Sequence, residues 1–417
     1  MRRIPASAVL LLTVALGACS EATPTGTATA LGAAPLLSRE IVAEDGPRGL
    51  IRDRIHGQLA VGNFHGCGIT ASGATWCWGR NVNGELGNGR FTSASAPVAV
   101  VGNPTFTEIS AGGHTCGLLA SGSALCWGRN NFGELGDGTA NNRATPVSVA
   151  GGPWTTIASG RLTTCAITPA NEAYCWGANQ RGELGNPSIG SSRVPVPVTT
   201  SLRFARIAAG WTHTCALTST DGHAGEAYCW GSGTSVGDGG TTDRATPARV
   251  AGDLTVTRLF AGGNHTCGLT ATGSAHCWGV NGAGQLGDGS TIDRASPVTV
   301  SGGHAFIMLA AASRPIQPAD LGKRSHTCGI TTTGKAYCWG SNNVGQLGDG
   351  TTTDRLIPTA VSTSEVFAAI GAGDTFTCAM TPNRKVFCWG SNVLGELGSG
   401  NIGGFSTIPV AVPPPFR

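Results

Sequence analysis

Fourteen of the fifteen cysteines in this 417-residue chain form seven neighbouring pairs, and only Cys19 stands apart. Nine residues separate the members of each pair, except in the fourth pair, where thirteen do. The pairs are Cys67 and Cys77, Cys116 and Cys126, Cys165 and Cys175, Cys215 and Cys229, Cys267 and Cys277, Cys328 and Cys338, and Cys378 and Cys388. Thiols at such regular spacing could form disulfides or, together with histidine, bind zinc.

The residues between paired cysteines predict a tight antiparallel hairpin. In the second copy, GLLASGSAL between Cys116 and Cys126, two alternating segments flank a turn, and Gly122 stands where a left-handed backbone is needed. Symmetric pairing places the two cysteines directly opposite each other, so we predict seven cross-strand disulfides. Asn171 replaces the turn glycine in the third copy, and Arg384 replaces it in the seventh, which the repeat pattern does not explain.

The zinc alternative depends on a histidine two residues before the first cysteine of five pairs. These histidines are His65, His114, His213, His265 and His326. However, Thr163 and Phe376 take this position in the other two copies, and the chain has no C-x2-C motif. We therefore predict hydrogen-bonded structural histidines, no bound metal and no cofactor.

The N-terminus has the features of an export signal. Residues 1–19, MRRIPASAVLLLTVALGAC, have a basic start, an apolar run too short to span a bilayer, and small residues before Cys19. The ending LGAC resembles the lipobox of bacterial lipoproteins, in which the cysteine is lipidated, whereas ordinary secretory cleavage nearby is the alternative. Residues 20–50 lack hydrophobic periodicity and predict a flexible linker. We expect an extracytoplasmic protein, lipid-anchored at Cys19 to a bacterial membrane or secreted.

Residues 51–417 contain a repeat of about fifty residues. Each unit offers four strand-like runs, for example 97–101, 106–111, 114–119 and 124–128. Seven such units predict an all-β fold, a seven-bladed β-propeller of four-stranded blades. The first unit lacks the Pro-Val run and the last ends with an extra one at 408–412, so we predict closure by pairing of N- and C-terminal strands in one blade.

The stretches WGRNNFGELGDG at 127, WGVNGAGQLGDG at 278, WGSNNVGQLGDG at 339 and AGGNHTCGLT at 261 look like repeats of the regulator of chromosome condensation family. The resemblance implies a seven-bladed propeller. Similarity to secreted propellers that inhibit β-lactamases implies a binding or inhibitory role, and the family namesake implies guanine-nucleotide exchange as the alternative. The cysteine pairs are an addition to the usual family pattern.

Other motifs favour structural roles. The string GTSVG at 233–237 matches a nucleophile elbow, but no strand-turn-helix context follows, and no catalytic acid and base set stands out. The recurring aspartates at 137, 238, 288 and 349 could suggest calcium, yet Asn and Ser replace them in other copies, as turn residues do. A net charge of +3 without dense basic runs disfavours nucleic acid.

Function is expected where the copies differ on one face of the propeller. The tips between the second and third runs of a unit and the long connections after the fourth run share a face, because antiparallel strands alternate direction. The predicted partner-binding residues there are Phe64, Phe132, Arg161, Leu162, Arg181, Trp211 and, in the insertion at 313–324, Arg314, Gln317, Lys323 and Arg324. Exposed aromatic and arginine residues favour protein contacts, although neutral loop variation is the alternative. We expect a non-enzymatic monomer that binds an extracytoplasmic protein or cell-wall component.

Overall fold

The computed structural model describes residues 58–188, 190–219, 225–312 and 325–416, all within the compact unit Leu50–Arg417. The predictions for the signal segment 1–19, for Cys19, for the linker 20–50, and for Arg314, Gln317, Lys323 and Arg324 lie outside the described residues. The described chain forms seven sheets of four antiparallel strands arranged as blades, which confirms the predicted all-β propeller.

The strands of each blade follow one another in the chain. Blade 1 contains Leu59–Val61, His65–Ile69, Thr75–Gly79 and Ala94–Ala99; blade 2 Phe106–Ala111, His114–Leu119, Ala124–Gly128 and Arg143–Ser148; blade 3 Thr156–Ser159, Thr163–Ile167, Ala173–Gly177 and Ser192–Pro197; blade 4 Phe204–Ala209, His213–Thr218, Gly225–Gly231 and Arg244–Arg249. Blade 5 contains Arg258–Ala261, His265–Leu269, Ala275–Gly279 and Arg294–Thr299; blade 6 Phe306–Ala311, His326–Thr331, Ala336–Gly340 and Arg355–Ala360; blade 7 Ala369–Ala372, Phe376–Met380, Val386–Ser391 and Phe405–Ala411. The short strand Thr255–Val256 pairs with the third strand of blade 4, and Gly233–Val236 forms a one-turn helix.

The predicted closure by mixed strands is wrong. The Pro-Val run is the fourth, outer strand of the blade before it, not the first strand of a new unit, so blade 1 lacks nothing. The terminal run likewise pairs with Val386–Ser391 of its own blade. The physical reason is that proline cannot donate a ladder hydrogen bond and is accepted on an edge strand. Each blade is therefore built from four consecutive strands.

The C-terminus closes the ring through a side chain. Phe416 is buried and packs edge-on against Trp78 of blade 1, with ring centroids 5.6 Å apart. It also covers Gly68, where an added Cβ would lie 2.6 Å from the phenyl ring. In blade 2 the corresponding contact to Trp127 comes from Phe106, at the start of that blade's own inner strand. Phe416 thus supplies to blade 1 an aromatic contact that other blades provide for themselves.

The recurring Trp-Gly and Gly-Glu/Gln-Leu-Gly motifs join neighbouring blades. The main-chain carbonyl of Glu85 in blade 1 accepts hydrogen bonds from Trp127 Nε1 at 2.9 Å and from Thr115 Oγ1 at 3.0 Å, both in blade 2. The same pair of bonds recurs at the next five junctions. At the junction of blades 7 and 1, Trp78 Nε1 donates to the carbonyl of Glu396 at 2.9 Å.

The seventh hairpin accommodates its unusual turn residue. Arg384 adopts the left-handed backbone with φ of 67°, as Asn171 does with φ of 60° and Gly122 with φ of 84°. The Arg384 guanidinium donates to the carbonyl of Ile69 in blade 1 at 3.3 Å. The side chain therefore adds a bond across the ring closure, which offers a physical reason for an arginine at this turn.

Candidate functional site

The seven predicted disulfides are confirmed. Each joins directly opposed residues on the second and third strands of one blade, with Cα atoms 4.0–4.1 Å apart. All fourteen cysteines are fully buried. Bonds of this kind are typical of an oxidising, extracytoplasmic environment. No helix in the described residues has the length and apolar character needed to cross a bilayer.

The five repeated histidines are structural, as predicted. His114 Nε2 lies 2.6 Å from Thr164 Oγ1 of the next blade, and Thr164 Oγ1 donates to the carbonyl of Glu134 at 2.7 Å. Because the hydroxyl proton is used on the carbonyl, Nε2 of the histidine is the donor. His65, His213, His265 and His326 make the same contact with Thr115, Thr266, Thr327 and Thr377.

Burial holds these imidazoles neutral. It lowers the pKa of His65, His114, His213 and His326 from 6.5 to about 3, and that of His265 to about 4. At the ring closure, Phe376 replaces histidine where the facing position in blade 1 is Gly66 instead of threonine. With no hydroxyl to bond, an apolar ring suits this junction.

The recurring aspartates hold turns. Asp137 Oδ1 accepts hydrogen bonds from Thr139 N at 2.9 Å and from Asn130 Nδ2 at 3.1 Å, and its other oxygen pairs with Arg143 at 3.0 Å. Burial raises the pKa of Asp137, but these hydrogen bonds outweigh it and leave the pKa below its usual value. Equivalent contacts surround Asp288 and Asp349, which confirms their predicted structural role.

Ser235 of the elbow-like string is also part of the scaffold. The residue is almost fully buried, and its main-chain carbonyl accepts from Trp278 Nε1 at 3.0 Å and Thr266 Oγ1 at 3.2 Å. Ser235 therefore takes the place of the repeated Glu or Gln in the shortened loop of blade 4.

One end of the propeller is formed by the tips between the first and second strands and the loops between the third and fourth strands. We call this end the tip face, and the opposite end, with the turns between the second and third strands, the hairpin face. At the tips, main-chain bonds link adjacent blades, such as Gly113 N to Gly160 O at 3.1 Å and Arg161 N to Gly210 O at 3.2 Å. A Cβ on Gly112 would lie 2.0 Å from Gly160 O, so glycine permits this close approach.

Three arginines on the tip face lie over aromatic rings. The guanidinium carbon of Arg80 is 5.3 Å from the Phe64 ring centroid, that of Arg129 is 5.8 Å from Phe132, and that of Arg161 is 4.8 Å from Trp211. Such distances are those of cation–π contacts.

Each of these arginines also pairs with a buried carboxylate. Arg161 Nη1 lies 3.3 Å from Asp374 Oδ2 and so joins blade 3 to blade 7. Arg129 and Glu134 are 3.4 Å apart, and Arg80 and Glu85 are 3.9 Å apart. The three pairs fix the positions of half-buried guanidinium groups at the surface of the tip face.

The structure brings some predicted residues together and separates others. Phe64, Phe132, Arg161 and Trp211 all belong to the ring–arginine pairs. Arg181 is exposed and pairs with Asp243 at 3.2 Å, apart from these pairs. Leu162 is half-buried, and its carbonyl accepts from Ala178 N.

Sequence reasoning missed Arg80 and Arg129. Both directly follow the Trp-Gly pair, where other copies have Ala, Ser or Val. This variation next to a constant motif was the available signal.

A cavity lies along the axis of the propeller. The inner strands line a channel of about 750 Å³ that reaches the hairpin turns at Gly73 and Arg384. Its wall combines small apolar residues with polar and charged ones, and Glu108 there accepts from Thr156 Oγ1 at 3.3 Å. None of the predicted partner-binding residues among the described residues lines this channel.

Known proteins share both sequence and fold with this chain. It is 30% identical over 164 residues to the ultraviolet-B receptor UVR8 of Arabidopsis thaliana, covering 38% of this chain and 34% of that protein. It is 30% identical over 193 residues to RCC1 domain-containing protein 1 of Mus musculus, covering 38% of this chain and 50% of the relative. The matches therefore span half or less of these relatives' lengths.

The crystal structure of Prp20p from Saccharomyces cerevisiae is similar in fold, with a TM-score of 0.69, 21% identity, and coverage of 82% of this chain and 86% of that chain. One model of the regulator of chromosome condensation (RCC1) repeat matches residues 72–119, 121–167, 171–217 and 333–380. A second matches 58–85, 106–134, 154–183, 204–235, 256–285 and 367–396. Together they cover more than half of the chain, which therefore belongs to the RCC1 repeat family.

Proposed function

We propose that this chain is a non-enzymatic binding protein, tethered to a bacterial membrane through Cys19, whose tip face contacts an extracytoplasmic protein or cell-wall component. The observation that carries the proposal is the set of three ring–arginine pairs on that face. Tryptophan, other aromatic residues and arginine dominate the binding energy of protein interfaces. Inhibition of a bound enzyme is one form that this function can take.

Rigidity supports the same proposal. Disulfides clasp the two central strands of every blade, and main-chain bonds between tips hold neighbouring blades together. A side chain that is already ordered loses little conformational entropy on binding. Arg161 fits this description, because Trp211, Asp374 and the main chain of Gly210 all restrict its position.

Site-directed photo-cross-linking on the mature protein tests the face. A photoreactive phenylalanine analogue is placed at Phe132 on the tip face or at Ala120, an exposed residue of a hairpin turn. We expect capture of a specific partner from position 132 and not from position 120.

Two substitutions and one deletion complete the test. Trp211→Ala is expected to abolish capture from position 132, whereas Arg203→Ala is expected to preserve it, because Arg203 pairs with Glu172 on the hairpin face. Deletion of residues 313–324 tests whether the insertion contributes to partner capture. Capture that is unchanged by Trp211→Ala, or found only at position 120, contradicts the proposed face. Guanine-nucleotide exchange activity of the purified protein would favour the alternative function.

A further inference from the structure

Three arginines converge on a small cleft in the tip face, at the junction of blades 1, 2 and 3. The cleft has a volume of about 20 Å³, and Arg80, Arg129, Arg161, Gly112 and Gly113 contribute to its lining. This is slightly more than one water molecule requires. Burial lowers the pKa of the Arg129 guanidinium; Glu134 opposes this shift, and the positive charges of Arg161 and Arg80 add to it.

In this cluster the carboxylates are more deeply buried than the arginines. The side chains of Glu85, Glu134 and Asp374 are 0–4% exposed, whereas those of Arg80, Arg129 and Arg161 are 19–31% exposed. Two of the carboxylates also accept main-chain hydrogen bonds: Asn83 N donates to Glu85 at 2.8 Å and Phe132 N to Glu134 at 2.7 Å. A group that approaches from solvent therefore meets the guanidinium groups first.

Donor groups on these arginines remain available. In the part of the chain that the structure describes, the Arg80 guanidinium has its 3.9 Å ion pair and its ring contact but no hydrogen bond. Arg129 Nε is buried beside Glu134, so the terminal nitrogens of Arg129, on a side chain that is 27% exposed, are the donors left for a ligand. A guanidinium whose flat face lies over a ring keeps its N–H donors at the edge. The rings of Phe64 and Phe132 therefore hold the N–H donors of Arg80 and Arg129 beside the cleft.

We propose that this cleft binds a carboxylate, presented by an Asp or Glu side chain of the partner. Paired N–H donors of arginine match the two oxygens of a carboxylate, and the small volume favours a planar group over a tetrahedral one. Gly112 and Gly113 contribute main chain to the wall of the cleft, because both pack closely against the next blade. The inference rests on the proposed function, since the acidic group belongs to the protein bound at the tip face.

Titration of the full mature protein with acetate tests the cleft without knowledge of the partner. Arginine Nε–Hε signals are followed by NMR at constant ionic strength, with chloride and sulfate as comparison anions. We expect saturable shifts of the Arg80 and Arg129 signals with acetate, and an affinity at least about tenfold weaker in Arg129→Gln but unchanged in Arg203→Gln.

Three outcomes would overturn the inference: equal shifts with chloride, tighter binding of sulfate than of acetate, or no effect of Arg129→Gln. The anion comparison in the unsubstituted protein decides the question even where a variant fails to fold. Partner capture from position 132 without acetate binding would leave the proposed function intact and reject the carboxylate site. Acetate binding without capture from that position would instead count against the proposed function.

Discussion

The buried histidines predict a steep loss of stability in mild acid. In the unfolded chain their pKa is about 6.5, whereas His114 in the folded protein has a pKa of about 3. Between these values the unfolded state binds one more proton, so the free energy of unfolding falls as the pH falls, by about 1.4 kcal/mol per unit for each histidine. The stabilising effect is fully present above pH 6.5.

The magnitude follows from the same two pKa values. Between pH 7.5 and pH 5.0, one such histidine lowers the free energy of unfolding by about 2 kcal/mol, and five lower it by about 10 kcal/mol. His114→Gln retains an N–H donor for Thr164 and removes the titrating ring. We therefore expect its loss of stability over this range to be smaller than that of the unsubstituted protein by about 2 kcal/mol.

Guanidinium-induced unfolding, followed by tryptophan fluorescence at both pH values with the disulfides intact, measures the difference. His304→Gln is the control, because it removes a half-buried histidine beside Tyr337 and keeps all five fully buried ones. The same pH dependence in His114→Gln, His304→Gln and the unsubstituted protein would refute the reasoning.

Three further predictions concern the scaffold. Alkylation of the denatured, unreduced protein should label none of the fourteen paired cysteines, and mass spectrometry that finds labelled ones would contradict the disulfides. Phe416→Ala should cost about 3–5 kcal/mol in denaturant unfolding through the buried cavity at Trp78, and exposed Phe405→Ala should cost far less. Gly112→Ala should lower the unfolding free energy by about 1–3 kcal/mol, because the added Cβ meets Gly160 O. Gly190→Ala is the control and should be nearly neutral, since open space surrounds Gly190. Equal effects of the two substitutions would reject the close approach.

The disulfides and the blade count were predictable because both depend on short-range order. A strand period of two residues, a turn, and nine intervening residues place cysteines such as Cys116 and Cys126 opposite each other. The assignment of the Pro-Val strand failed because its own pattern does not show which neighbour it joins. Its prolines were the signal that it lies on an outer edge.

Long-range contacts could not be predicted from the sequence pattern. Phe416 follows three prolines and has no counterpart at that place in any other copy, so only the folded ring shows that it packs on Trp78. Arg80 and Arg129 sit next to the constant Trp-Gly pair, and their role depends on rings that other segments supply. Arg161 was predicted, but its bond to Asp374, 213 residues away, was not.

The seam between the seventh and first blades differs from every other junction in sequence distance. Trp127 and Glu85 are 42 residues apart, whereas Trp78 and Glu396 are 318 apart, and Asn63 and Asp374 are 311 apart. Contacts between distant residues require closure of a long loop, which costs more chain entropy than local contacts do. During synthesis each new blade can dock on its predecessor, whereas the seam requires blade 7 and Phe416. We therefore expect the seam to be the last junction to form and the first to open.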